Sequence, residues 1–124
     1  MPITQEIREN GYVIFYVMTD PWTLPEMLNL FAAETVYRDQ VGHQVHTLVD
    51  LTETHTAPAS GLIGMRHKAP SLVHPTAGQF VVIGANTFMH MVGQTIFNLL
   101  GFDKGKFVNT EEEAWTYLRS IIPG

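Results

Sequence analysis

Cysteine is absent from this chain, which removes any disulfide framework, thiolate nucleophile or thiolate metal site. Charge is sparse. Seven of the 124 residues are Lys or Arg and twelve are Asp or Glu, giving a formal net charge of -5. The cations are scattered, and only Arg66, His67 and Lys68 form a basic cluster. The stripe of positive charge that phosphate backbones require is therefore missing, and nucleic acid is excluded as a partner. No apolar run approaches the roughly 20 residues of a membrane-spanning helix. The N-terminus, "MPITQEIREN", lacks the basic stretch and apolar core of a signal peptide. Together these absences lead to the expectation of a soluble, cytoplasmic protein.

What is present is core-forming material. Hydrophobic residues make up 45% of the chain, with two Trp, seven Phe and four Tyr, so a globular fold is expected and disorder is not. A chain of this length fits one domain, residues 1–124, that buries a core without staples.

Hydropathy patterning divides the chain into alternating strands and helices. "GYVIFYVM" (11–18) is an apolar, β-rich run that ends at the turn signal Thr19-Asp20-Pro21. Thr23, Pro25 and Glu26 then make a capping box at a helix start. Leu24, Met27, Leu28 and Phe31 fall on one face of that helix, which is expected to reach about Arg38 and stop before Gly42. "VHTLVDL" (45–51) reads as a strand whose apolar residues do not alternate, as in a strand covered on both faces. A helix is expected from Gly61 to about Ala69, before Pro70, with Arg66, His67 and Lys68 at the negative end of its dipole. "QFVVIG" (79–84) is a third strand.

"ANTFMHMVGQTIFNLLG" reads as a helix capped by Asn86 or Thr87 and stopped at Gly101. Phe107 and Val108 make a short fourth strand. "TEEEAWTYLRSII" repeats the capping box, Thr110 with Glu113, and places Ala114, Tyr117, Leu118 and Ile121 on one face. The order β-α-β-α-β-α-β-α implies crossover connections and a largely parallel sheet of the α/β class.

Few residues carry chemistry. Ser60 stands directly before a predicted helix, where serine is a favoured N-cap. The same place offers unpaired N–H groups and partial positive charge, so a phosphate on Ser60 is tolerated there. Gly61 and Gly64 allow close approach of another backbone or a phosphate. The surrounding "APASGLIG" is not a nucleophile elbow, since Pro58 and Leu62 stand where that motif has glycines. None of the six histidines is singled out as a base by its spacing. His43 and His46 have an H-x-x-H spacing, with His55 nine residues further, but in a loop-to-strand segment that spacing does not gather imidazoles on one face. No metal, no cofactor and no catalytic residue is assigned. The 86–100 helix is apolar around about two-thirds of its circumference, more than the stripe of an ordinary surface helix. Phe88, Met89, Met91 and Val92 either lie in the core or form a surface for an apolar ligand, a lipid or a second subunit in a homodimer.

Three segments in this order resemble STAS domains, the family of anti-sigma-factor antagonists. "LVDLTETHTAPASGL" resembles that family's strand ending in Asp-Leu followed by Asp-Ser-Ser-Gly-Leu. "GQFVVIGANTFMHMVGQTIFNLLGF" resembles its strand, helix and Gly-Leu exit, and "KFVNTEEEAWTYL" its closing strand and Thr-x-x-x-Ala helix. The likeness spans about residues 11–120. It implies a STAS-like domain with a four- to five-stranded, mostly parallel sheet and about four flanking helices. It also implies a non-enzymatic regulatory role in which the chain binds a protein partner, an anti-sigma-type kinase. The family's phosphoacceptor serine falls on Ser60, next to Gly61 and Leu62, and Asp50 keeps its distance from that serine at the strand end. The family's Asp and first Ser are Pro58 and Ala59 here, which changes the local surface a partner reads.

Overall fold

The computed structural model describes residues 3–20, 22, 24–54, 75–84, 90–91, 94–95, 98 and 104–122, the side chains of 24, 25 and 28 excepted. Five strands form one mixed sheet: β1 (Ile3–Arg8), β2 (Val13–Met18), β3 (Val45–Asp50), β4 (Ala77–Ile83) and β5 (Gly105–Val108). Their spatial order is their order in sequence. β1 pairs antiparallel with β2, and the pairs β2–β3, β3–β4 and β4–β5 are parallel. Helix α1 (Leu24–Gln40) connects β2 to β3, and helix α2 (Glu111–Ile121) follows β5. The α/β class and the mostly parallel sheet agree with the sequence reading.

Strand β1 is an element that the sequence reading did not contain. Ile3 and Ile7 are four residues apart, a spacing that fits a helix face and a strand face equally well. The exposed polar residues between them weaken any strand signal, as befits an edge strand. The turn from β1 to β2 places Glu9 and Asn10 at positive φ (54° and 57°). It is held by the Tyr37 hydroxyl, which donates to the Gly11 carbonyl at 2.7 Å.

Because side chains alternate along a strand, the central strands feed two cores. On one face Ile14, Tyr16, Met18, Val45, Val49, Phe80 and Val82 pack with Phe31 of α1. Phe31 meets the Tyr16 and Phe80 rings edge-on, with centroids 5.5 and 5.9 Å away. On the other face Val13, Phe15, Leu48, Val81 and Ile83 pack with Ala114, Trp115 and Leu118 of α2. β2 and β3 are thus buried on both sides, which is why neither reads as alternating.

The N-cap half of the second capping box is formed: Thr110 caps α2 by accepting the Glu113 N–H at 3.1 Å. The buried stripe of α2 is centred on Ala114, Trp115 and Leu118, with Tyr117 half-buried. Ile121, expected on that face, is 40% exposed, because Trp115 occupies the stripe against Phe15. Thr23 of the first capping box and the helix expected over 61–69 lie outside the described residues. In the 86–100 segment, residues 90, 91, 94, 95 and 98 have helical backbone. No described helix is long and apolar enough to cross a membrane.

Candidate functional site

In open α/β sheets, ligands bind outside the carboxyl ends of the parallel strands. Here those ends are Met18, Asp50, Ile83 and Val108. Asp50 sits at this rim, and its Oδ1 accepts both the backbone N–H of Thr52 at 2.8 Å and the Thr52 hydroxyl at 2.7 Å. Such an Asp-centred turn sharply redirects the chain as it leaves the strand.

Neighbouring groups fix the turn from two sides. Gly84, just past β4, donates its N–H to the Val108 carbonyl at 3.0 Å and has φ of 68°. A Cβ there would lie 2.6 Å from the Thr52 methyl, so both space and backbone angle call for glycine. Thr54 is buried; its hydroxyl donates to the Met18 carbonyl at 2.8 Å and accepts from the Trp22 indole at 3.0 Å. The loops after β2 and β3 are thereby stitched into one platform, from which the chain departs toward Ser60.

Of the sequence-derived site residues, Asp50 belongs to this platform. Ser60 and Gly61, with Pro58 and Ala59, lie outside the described residues. In the apolar set, Met91 is 64% exposed, whereas Phe88, Met89 and Val92 lie outside the described residues. Met91 stands one residue from His90, whose ring stacks on Phe107 of β5 with centroids 3.9 Å apart.

The H-x-x-H histidines diverge. His43 stacks on Tyr12 at 4.0 Å. His46, buried in β3, accepts the backbone N–H of Gln79 through Nδ1 at 2.9 Å. Burial, the Arg38 guanidinium and Lys104 hold its pKa below the ordinary imidazole value. His55 lies outside the described residues. Among the described residues no group of three or more His, Asp or Glu side chains is placed to hold a metal ion.

A buried polar chain beneath α1 had no counterpart in the sequence reading. Glu34 and Arg38 form an ion pair at 2.8 Å with side chains 1% and 2% exposed. Tyr16 donates its hydroxyl to the second oxygen of Glu34 and accepts from Gln5 at 2.9 Å. Arg38 also donates to the Thr47 hydroxyl at 3.0 Å and to the Val45 carbonyl at 2.8 Å. Burial first, then the adjacent Glu34 charge, pushes the Tyr16 pKa far up, so its hydroxyl remains a donor. The one signal in the sequence was the Glu34–Arg38 spacing of four on a helix, which ordinarily marks an exposed pair.

Compared with known proteins, the chain matches no family model, and neither a curated protein nor a solved structure is similar to it.

Proposed function

We propose that this protein is a non-enzymatic regulatory module of the cytoplasm that binds a protein partner through the carboxyl rim of its sheet. In this reading it resembles the anti-sigma-factor antagonists of the STAS family, and phosphorylation of Ser60 switches the interaction. The supporting observation is the platform itself: Asp50 and Thr52 set the exit from β3, and Trp22 and Thr54 fasten it. A fixed exit from β3 reduces the conformational entropy that the platform itself would lose on binding a partner, and Ser60 follows its last described residue, Thr54, by six positions in the sequence. A phosphate there adds nearly two negative charges and three acceptor oxygens, enough to dismiss or recruit a partner that reads the rim.

The partner that fits is a kinase of the anti-sigma type, which would both bind the rim and modify Ser60. Incubation with ATP and extract of the protein's own cells, followed by intact-mass measurement, tests the switch. The expected result is one added phosphoryl group in the wild type and none in Ser60→Ala. An unchanged wild-type mass, or a phosphate retained in Ser60→Ala, removes the switch.

A second reading, an apolar ligand or lipid bound beside the 86–100 helix, draws on the exposure of Met91. Native mass spectrometry with fatty acids in excess separates the two, since the regulatory reading predicts no uptake.

A further inference from the structure

β4 holds one residue more than β3 where their pairing begins. Val45 lies opposite Ala77, yet Thr47 lies opposite Phe80. Gly78 and Gln79 therefore share a single opposite residue, His46, which makes a β-bulge. A bulge leaves a ladder donor without its usual carbonyl, and here the Gln79 N–H turns to His46 Nδ1 at 2.9 Å. The backbone N–H of His46 bonds the other way, to the Tyr12 carbonyl at 2.8 Å. Gly78 makes room for this arrangement, because a Cβ there would overlap the imidazole.

The bond dictates the state of the ring. Nδ1 accepts, so it carries no proton, and the imidazole is neutral with its proton on Nε2. Two cations act on it electrostatically, Arg38 from α1 and Lys104 from the segment before β5. Val13 of β2 and Gly78 and Gln79 of β4 lie beside it and carry no charge. The other side-chain bonds that hold the start of β4 are longer. Arg38 reaches the Thr76 carbonyl at 3.4 Å, while Gln44 and Lys104 reach the Ala77 carbonyl at 3.4 and 3.2 Å.

We propose that His46 and the Gly78–Gln79 bulge form an acid-sensitive latch on the start of β4. While the ring is neutral, residues 75–79 are fastened to β3. A proton taken from solvent onto Nδ1 turns the acceptor into a donor facing a donor, and the Gly78–Gln79 bulge comes loose, while the Val45 N–H still holds the Thr76 carbonyl at 2.8 Å. These residues close the connection that begins at the Asp50 platform, so the latch governs how its far end is held. The latch does not depend on the role proposed for Ser60.

The sign of the pH effect follows from the environment. Burial, Arg38 and Lys104 all disfavour the charged ring, so its folded pKa lies below the unfolded value of 6.5. The stabilisation is complete above that value and is lost as pH falls through the folded pKa.

Amide hydrogen exchange of Gln79, corrected for intrinsic exchange, tests the latch at about pH 7 and about pH 4.5, the latter well below the free imidazole pKa of about 6.5. The wild type is expected to lose protection severalfold at the lower pH. His46→Asn offers a similar acceptor that does not titrate, and its Gln79 protection is expected to stay level. Wild-type protection that is equal at both pH values, or an equal loss in His46→Asn, overturns the proposal. Should His46→Asn fail to fold, ring NMR of the wild type decides. A ring titrating below 6.5 in step with the Gln79 loss supports the latch. A ring titrating at 6.5 or above, or protection lost while the ring is still neutral, overturns it.

Discussion

The Tyr16 hydroxyl on β2 donates to the Glu34 carboxylate on α1, in the middle of an otherwise apolar interface. Glu34 passes the connection to Arg38, and Arg38 to Thr47 on β3, while Gln5 on β1 joins at the Tyr16 end. Three strands and the crossover helix are thus tied by one line of bonds. Tyr16, Glu34, Arg38 and Thr47 are buried and Gln5 is exposed, and each bond among the buried four satisfies a group whose isolation would cost about 1–3 kcal/mol or more. The line fixes where α1 sits along the sheet, which uniform apolar packing does less well.

Breaking the ion pair on one side should be far worse than removing it whole. Glu34→Ala leaves the Arg38 guanidinium buried without its carboxylate and is expected to cost about 3–5 kcal/mol. The double variant Glu34→Leu, Arg38→Met should recover a large part of that loss. Urea unfolding of the three proteins measures both values. A double variant as unstable as Glu34→Ala would show that the pair contributes something that apolar packing cannot replace.

Alkaline stability should depend on Tyr16. Its folded pKa is raised above the unfolded value of 10.0 by burial and by Glu34, so the folded state holds the proton more tightly. That contribution is complete below about pH 10 and is lost as the pH rises beyond it. Tyr16→Phe should lose about 1–3 kcal/mol at neutral pH, because Glu34 keeps a buried oxygen without a donor. It should also decline less between about pH 9 and about pH 11 than the wild type does. Chemical denaturation across that range gives both numbers.

Thr110→Ala should remove the cap on α2 and destabilise the fold by about 1 kcal/mol, whereas Thr110→Ser or Thr110→Asp should be close to neutral. Thermal unfolding followed by circular dichroism is sufficient.

Thr54→Val keeps the volume of a β-branched residue but deletes the hydroxyl that joins the Met18 carbonyl to the Trp22 indole. The expected result is a loss of about 1–3 kcal/mol and a changed Trp22 emission relative to Trp115, resolved in single-Trp backgrounds. An unchanged Trp22 environment would mean that the platform is held by other contacts.

The sequence revealed the sheet best where its residues had one job. β2, β3 and β4 are largely buried on both faces and could be read from their apolar runs, although β4 begins at Ala77, two residues before the expected Gln79. α2 could be read from its cap, although Trp115 displaced Ile121 from the buried stripe, because stripe position depends on what the helix meets. β1 escaped notice because an edge strand with isoleucines at 3 and 7 satisfies two periodicities at once. The buried line from Gln5 to Thr47 was invisible for a different reason. Polar residues at ordinary surface spacing become a core network only once the register of β1 and β2 and the height of α1 are set, and these are long-range facts. Of the site, Asp50 was legible as a strand end, but its partner Thr52 and the stitching by Trp22 and Thr54 were not, since turns after strands obey local hydrogen-bond chemistry more than hydropathy.

The central claim is that a protein partner reads the carboxyl rim of the sheet and that the state of Ser60 controls this binding. Quantitative capture from the protein's own cells, comparing wild type, Ser60→Ala and Ser60→Asp, tests it most directly. The account predicts one protein that is retained by the wild type and Ser60→Ala and lost with Ser60→Asp, in which a negative charge stands in for the phosphate. An identical set of captured proteins from all three would contradict it.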